Sequence, residues 1–453
     1  MGYVKNNLSF YFLSINCKPL KFTEEQALAL APDEASKKAG KDLANPNKWV
    51  SRGANESAMW GECQGSGSKP YQTQVDLGNI AFKCSCPSRK FPCKHGLGLL
   101  VLSARQPALF TSTEAPPWVT DWISKRTETA EKKEEKKDKP VDEAAQAKRL
   151  QAREQSVTKG IEELLLWMKD IVRNGILTIP EKDHAFFNNV VRRMVDAKAP
   201  GLANMVKTLA NTNFYQDGWQ TGFMDQLARM FLVISGYAQQ NLPETLKEDV
   251  RNWIGFTQNQ DELKEQPGIS DIWMVLGKQL TEEDNLTTER TWFYGTQSGK
   301  YAMVLQFSVR GQGVLLSLAP GMQLQAELVF FPSAQPMRAI IKTQATSNTV
   351  ITINGFKNWS QVAEAETNVN ASLPFGPERP FIVHQVTPVF HASQWWLSDV
   401  EKSLVQLKDS WKNLYTLLSL SGGDPLDIAV IGRENVYEPI GAWAAGGYVS
   451  LTD

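Results

Sequence analysis

Three cysteines and a histidine fall within one short segment, Cys84-Ser85-Cys86-Pro87-Ser88-Arg89-Lys90-Phe91-Pro92-Cys93-Lys94-His95, with the spacing C-x-C-x6-C-x-H. Three thiolates and one imidazole make a closed tetrahedral set, which suits a structural zinc ion. In an extended backbone residues i and i+2 point the same way, so Cys84 and Cys86 can converge on one ion. The following loop holds Pro87 and Pro92 and can double back, so that Cys93 and His95 close the site. Three thiolates around Zn²⁺ leave a net negative centre. Lys83, Arg89, Lys90 and Lys94 surround it, and no acidic residue lies between 83 and 95. Cations beside thiols lower their pKa and favour the metal-binding form. The same four cations are candidate contacts for nucleic acid or for a protein partner, or they serve the metal alone. Four ligands leave no open position for water, so the zinc is expected to be structural and to do no chemistry. The competing readings are buried thiols beside an unrelated histidine, and a redox pair at Cys84 and Cys86. The second is tighter than an ordinary C-x-x-C redox motif.

The remaining chemistry-bearing residues form no constellation. Cys17 and Cys63 lie apart from the four and read as structural thiols. His184, His384 and His391 are scattered, with no carboxylate or Cys at ligand spacing. The segment Phe293 to Tyr301 faintly suggests a phosphate loop, but its first glycine is misplaced and Tyr301 stands where Ser or Thr is needed. It reads as a turn between strands. Trp49, Trp60, Tyr71, Phe82 and Phe91 surround the metal segment among Lys37, Lys38, Lys41, Lys48, Arg52 and Lys69. They read either as a small core with a solvated face or as a surface that stacks bases and contacts phosphates.

Positioning these residues requires several domains, since 453 residues suggest about three. The net charge of −1 argues against a chain that is basic throughout, and 14 Trp with 20 Phe exclude a fully disordered one. Five cysteines are an odd count, unlike a secreted disulfide framework. The start MGYVKNNLSF has no basic segment followed by an apolar one, and no apolar run approaches the ~20 residues of a membrane span. The chain is expected to be soluble and cytoplasmic, with no membrane partner.

The expected class is multidomain α+β. Residues 1–123 form an N-terminal domain of net charge +4, with a ββα zinc module at about 58–102. The strand signal there is the alternation Tyr71 to Leu77, and the helix signal is the apolar run Leu97 to Leu102. Residues 124–158 hold 18 charged side chains and no aromatic one, so they read as a linker that could carry a solvated helix through i,i+4 pairs. Residues 159–290 read as a helical domain. Val157, Ile161, Leu164, Leu165, Met168, Ile171 and Val172 step by three and four, and further helices are expected at 182–197, 202–211, 219–239, 244–256 and 270–279. Residues 291–392 switch to period two, as in Met322, Leu324, Ala326, Leu328 and Phe330, and predict an antiparallel β sandwich or barrel of five to seven strands. Residues 393–453 predict a helix from the Ser398/Glu401 capping pattern to Gly422, carrying Leu404, Leu407, Trp411, Leu414 and Leu418, then short strands.

The signature C-x-C, variable loop, C-x-H resembles the SWIM zinc-finger family, and CSCPSRKFPCKH is especially similar to its bacterial members. Cys84, Cys86, Cys93 and His95 match the four family positions, and Gly65, Ser66, Gly67, Pro70 and Tyr71 resemble the family's lead-in. The resemblance implies Zn²⁺ as cofactor and an interaction role toward proteins or nucleic acid. It also implies a neighbourhood of MoxR-type AAA ATPases and von Willebrand A-domain proteins. The expectation is a non-enzymatic adaptor that binds a protein partner. The alternative is a DNA-binding protein acting through the basic zinc module, and an enzyme with an unfamiliar site in the acidic C-terminal half is a third reading.

Overall fold

The computed structural model describes residues 23–65, 67–78, 80–88, 90–110, 114–135, 143–283, 286–309, 318–346 and 352–452. Cys17 and Arg89 lie outside the described residues.

The N-terminal domain is a four-stranded antiparallel meander with three helices. The helices are α1 (Glu24–Ala29), α2 (Glu34–Leu43) and α3 (Lys94–Arg105). The strands, in sheet order, are β1 (Trp49–Ala54), β2 (Ala58–Cys63), β3 (Tyr71–Asp76) and β4 (Ala81–Cys84). The expected two strands and helix are therefore the second half of a larger sheet. Its inner face, with Trp49, Met59, Cys63 and Val75, packs with α3, whose Leu97, Leu99, Leu100, Val101 and Leu102 are all buried. A Cβ on Gly98 would stand 2.7 Å from Leu43 Cβ, so this glycine lets α2 and α3 cross at close range.

The charged stretch is helical wherever it is described: α4 (Pro117–Glu135) and α5 (Glu143–Asn174) flank residues 136–142, which lie outside the described residues. The helical domain begins inside the expected linker, whereas α4, which packs on the meander, begins ahead of it. Val119 of α4 packs on Trp60 of the meander, and Val157 of α5 is fully buried in the next core. That core belongs to a bundle in which α5 is followed by α6 (His184–Asp196), α7 (Pro200–Ala210), α8 (Trp219–Ala238) and α9 (Glu244–Ile254), then the short α10 (Gln260–Lys264).

The expected helix at 270–279 is instead a strand, and the helical region closes at Lys264. The next five strands are β5 (Ile269–Glu283), β6 (Leu286–Gly295), β7 (Tyr301–Val309), β8 (Gln323–Phe330) and β9 (Arg338–Thr346). They close a barrel in the order β5-β6-β7-β9-β8, with β7 and β9 parallel and the other pairs antiparallel. The barrel thus begins before 291 and ends before 392. Its first strand was missed because both of its faces are covered. Trp273 and Val275 belong to the core that fills the barrel, whereas Leu276 packs toward a second sheet, so the run lacks alternation. The connectivity is that of five-stranded Greek-key barrels that bind oligonucleotides and oligosaccharides on their second and third strands.

After α11 (Trp359–Ser372), a six-stranded sheet is built from β10 (Arg379–His391), β11 (Gln394–Ser398), β12 (Leu404–Leu407), β13 (Leu426–Arg433), β14 (Val436–Ala444) and β15 (Gly447–Ser450), with α12 (Leu414–Ser421) inserted. The long helix expected from Ser398 to Gly422 is overturned: only its last part, α12, is helical. Buried Asp399 explains the break. It accepts from the amides of Trp359, Glu401 and Ser403, which fixes a turn where a helix would have started. One face of this sheet packs on Trp359 and Val362 of α11 and Leu417 of α12. The other face, with Ile382, Ile431 and Ile440, packs on Leu276, Trp292 and Tyr294 on the barrel's outside. Among the described residues no helix is long and apolar enough to cross a membrane.

The α2–α3 crossing generates a prediction. Gly98→Val should lose about 1–3 kcal/mol through overpacking. Hydrogen exchange should quicken in 34–43 and 94–105 and stay unchanged in 184–254. Unchanged exchange in α2 and α3 would show that the close approach is not required.

Candidate metal centre

Strand pairing and a helix start bring the four side chains together. Cys84 ends β4 opposite Thr73, and the pairing is extended by Ser85, whose amide donates to the Gln72 carbonyl at 2.9 Å. Cys93 is the N-cap residue of α3 and His95 lies in its first turn. The loop between them turns through a cis Phe91-Pro92 peptide. The Sγ atoms of Cys84, Cys86 and Cys93 and one ring nitrogen of His95 all lie within 4.8 Å of one another. Cys93 and His95 are buried, whereas Cys84 and Cys86 are half-buried.

The spacing fits a tetrahedral ion. Cys84 Sγ stands 3.7 Å from His95 Nδ1. Zinc–sulfur and zinc–nitrogen bonds of about 2.3 and 2.0 Å at a tetrahedral angle put those two ligand atoms about 3.5 Å apart. The donor set is soft and closed, so Cys84, Cys86, Cys93 and His95 can hold one Zn²⁺ without solvent.

The surroundings favour thiolates at Cys84 and Cys86. The Cys93 thiol, the largest influence, donates toward Cys84 and pulls it down to about 4; the His95 ring, the Thr73 hydroxyl and the Cys86 amide add to this. Cys86 falls to about 6, again chiefly through Cys93, with the Ser88 amide assisting. Cys93 keeps its proton between the other two sulfurs and is pushed far up. Burial opposes charge on His95, but its bonds to Cys84 and Cys86 outweigh burial and raise it. The start of α3 places its positive end beside these sulfurs.

Two residues support the ligands: Thr73, not singled out from sequence, and Tyr71, whose contact with His95 was not foreseen. Thr73 is fully buried, with Oγ1 3.1 Å from Cys84 Sγ, and the Tyr71 ring packs on His95 at 4.9 Å between centroids. Their shared strand parity was the available signal. Cys63 is fully buried, and burial raises its thiol to about 11, so it stays neutral beside the site.

The basic residues are less available than their number suggests. Lys83 and Lys94 are exposed. Lys90 Nζ lies 2.6 Å from Asp33 Oδ2, which ties the metal loop to the start of α2. Trp49, Trp60 and Phe82 are buried. His384 sits between the Gly355 amide and Asp427, far in sequence from the four ligands, and His184 and His391 do not join them.

The SWIM zinc finger family matches residues 71–102, from β3 to α3, and the SWIM-associated four-helix bundle domain matches residues 152–254, from α5 to α9. The chain carries a SWIM zinc finger, followed by the four-helix bundle domain associated with it. Neither match reaches the barrel or the C-terminal sheet. No curated protein and no solved structure matches the chain.

Two predictions follow from this geometry. Elemental analysis should find one zinc per chain, lost in Cys93→Ser. Hydrogen exchange should then accelerate through 71–102 while 184–254 stays protected, because binding energy at a structural site is folding energy. Equal zinc in both proteins would remove the assignment. The second concerns Asp33, whose carboxyl is held down at about 2, first by the Lys90 ammonium and then by the Ser36 amide. Its folded pKa lies below the ordinary carboxylate value, so its contribution is fully present above about pH 4 and is lost as pH falls through about 2. An NMR titration of the Asp33 carboxyl with a midpoint near 4 would contradict the Lys90 contact.

Proposed function

We propose that the protein is a non-enzymatic adaptor. A structural Zn²⁺ on Cys84, Cys86, Cys93 and His95 fixes its N-terminal module, and a protein partner docks on the chain. The carrying observation is where apolar surface is left open. Trp49, Trp60 and Phe82 are used in the module's own core, and Lys90 is used by Asp33. Part of the barrel face that takes ligands in related topologies is covered too: Trp292 and Tyr294 pack against Ile382, Ile431 and Ile440, while Leu286 and Phe307 toward the other end of the same strands stay exposed. The bundle, in contrast, exposes Leu166, Val172, Phe231 and Leu232. Of these, Val172 and Phe231 line one groove, and contiguous exposed apolar surface marks protein interaction sites. The family resemblance suggests a MoxR-type AAA ATPase or a von Willebrand A-domain protein as partner; the cytoplasm is the compartment the sequence reading favours.

The alternative, DNA binding through Lys83, Arg89, Lys90 and Lys94, draws support from the exposure of Lys83 and Lys94. Salt separates the two. Three or four phosphate contacts would cost roughly 40–150-fold in affinity between 50 and 200 mM salt. The adaptor reading expects no measurable retention of a random-sequence duplex at 150 mM salt. It also expects Asp33→Asn, which keeps the helix cap but frees Lys90, to gain none. Tight, steeply salt-dependent binding that strengthens in Asp33→Asn and disappears in Lys83→Ala/Lys94→Ala would reverse the order of the two readings.

A further inference from the structure

The bundle carries an open groove of about 370 Å³ between α5 and α8. Its floor and walls are apolar, with Met168 and Val172 from α5 and Met224 and Phe231 from α8. Lys169 and Arg173, also from α5, complete the lining, and no carboxylate takes part. We propose that this groove is a docking site for an acidic amphipathic helix of the protein partner; the proposal rests on the adaptor reading and names the element that would be recognised.

The geometry selects a helix. Leu165, Met168 and Val172 follow one another at i, i+3 and i+7 on α5, and Met224, Leu227 and Phe231 repeat that spacing on α8. Each stripe serves two purposes. Leu227 and Met168 turn inward and are nearly fully buried, whereas Val172, Phe231 and Met224 are 56%, 46% and 38% exposed. A helix half in the core and half in an open trough lacks a neighbour on one side. Eight residues of helix span about 12 Å, so the trough takes two turns of a partner helix with anchors at i, i+3 or i+4, and i+7. Methionines at two of the contact points let the trough adapt to different anchors.

Charge selects the partner's flank. Lys169 and Arg173 stand one turn apart along a single edge, which matches Glu or Asp at i and i+4 of the incoming helix. The nearest competitor is Asp170, 3.9 Å from Arg173, with both side chains well exposed. Such a pair is weak and easily exchanged. The α8 wall of the groove, with Met224, Leu227, Ala228 and Phe231, contributes no charged side chain, so the positive charge of the lining lies on the α5 edge.

The test uses the full chain and a fluorescein-labelled synthetic 18-residue helical peptide with Leu at i, i+3 and i+7 and Glu on both flanks. Fluorescence anisotropy should show saturable binding at 150 mM salt. Binding should be at least 10-fold weaker for a scrambled peptide of identical composition and for one with Lys in place of Glu. Val172→Glu, at an exposed position that should not disturb folding, should abolish it. Lys169→Glu/Arg173→Glu should reverse the preference toward the Lys peptide, and circular dichroism should confirm unchanged helix content in both variants. No binding, equal binding of the scrambled peptide, or unaffected binding by Val172→Glu would overturn the proposal. So would a wild-type dimer in sedimentation that Val172→Glu converts to monomer, since the groove would then be a self-interface. A parallel capture from native lysate separates the two levels. The same partners on wild type and Val172→Glu would overturn the groove and leave the adaptor. A chain that retains only DNA, with salt dependence, would overturn the adaptor itself.

Discussion

The N-terminal module depends on one convergence, that of three sulfurs and an imidazole at the junction of β4 and α3. Helix α3 begins with Lys94-His95-Gly96-Leu97-Gly98, a poor start by propensity, and Cys93 at its N-cap provides no side-chain capping bond. Two glycines in the first turns cost roughly 1 kcal/mol each relative to alanine. Both are needed sterically: Gly96 faces the Phe82 ring and Gly98 faces Leu43. The helix is therefore shaped for close packing and needs an external constraint to begin at the right residue. A metal joining Cys93 and His95 to Cys84 and Cys86 would supply that constraint. It would also fix the rotation of α3, which decides which of the buried Leu97, Leu99, Leu100, Val101 and Leu102 meet the sheet and which meet α1 and α2. These leucines matter beyond the module, because its core and the barrel's interior form one continuous apolar cluster that includes Trp273 and Phe293.

Charge around the centre has two separate tasks. The Cys93 thiol, and behind it the backbone amides of Cys86 and Ser88, hold negative charge on Cys84 and Cys86, which a bound metal would neutralise. The lysines of the loop act more as fasteners. Lys90 reaches back to the N-cap of α2, and the same carboxylate caps that helix through Ser36. One carboxylate thus orders both a helix start and the loop that carries the ligands. A basic sequence around a zinc motif is consistent with nucleic-acid recognition only where the cations are unspent, and here one of the described three is spent.

What was legible in the sequence follows the range of the interactions. The ligand set could be read because its members are neighbours in the chain and their chemistry is specific. The bundle could be read because one face of each helix is buried and the period shows. Strand β5 could not, since burial on both faces erases alternation and leaves a run that also suits a helix. The region after Ser398 misled for a different reason. Ser398 and Glu401 match a capping pattern, but Asp399 between them is taken by the start of α11, a tertiary contact that no local rule anticipates. The Lys90–Asp33 pair and the Tyr71 ring against His95 were likewise invisible, because partners distant in sequence met only on folding.

The barrel's role then follows from what covers it. Its interior is continuous with the zinc module's core, and its outer strands lie under the second sheet, close enough that a Cβ on Gly277 would stand 3.0 Å from Ile440. Its loop between β8 and β9 is held from two further sides. The Ala334 amide donates to Asp249 of α9 at 2.8 Å, and Arg379 of β10 donates to the Gln335 carbonyl at 2.6 Å. Asp249 is buried, and burial raises its pKa, against the pull of the Ala334 amide, Ser333 and Arg379. A buried carboxylate is tolerated only where such donors satisfy it. That contact joins the bundle to the barrel, as the apolar cluster joins the barrel to the zinc module. A barrel gripped on its interior, its wall and its loop acts as a bracket, setting where the bundle's open groove lies relative to the metal centre.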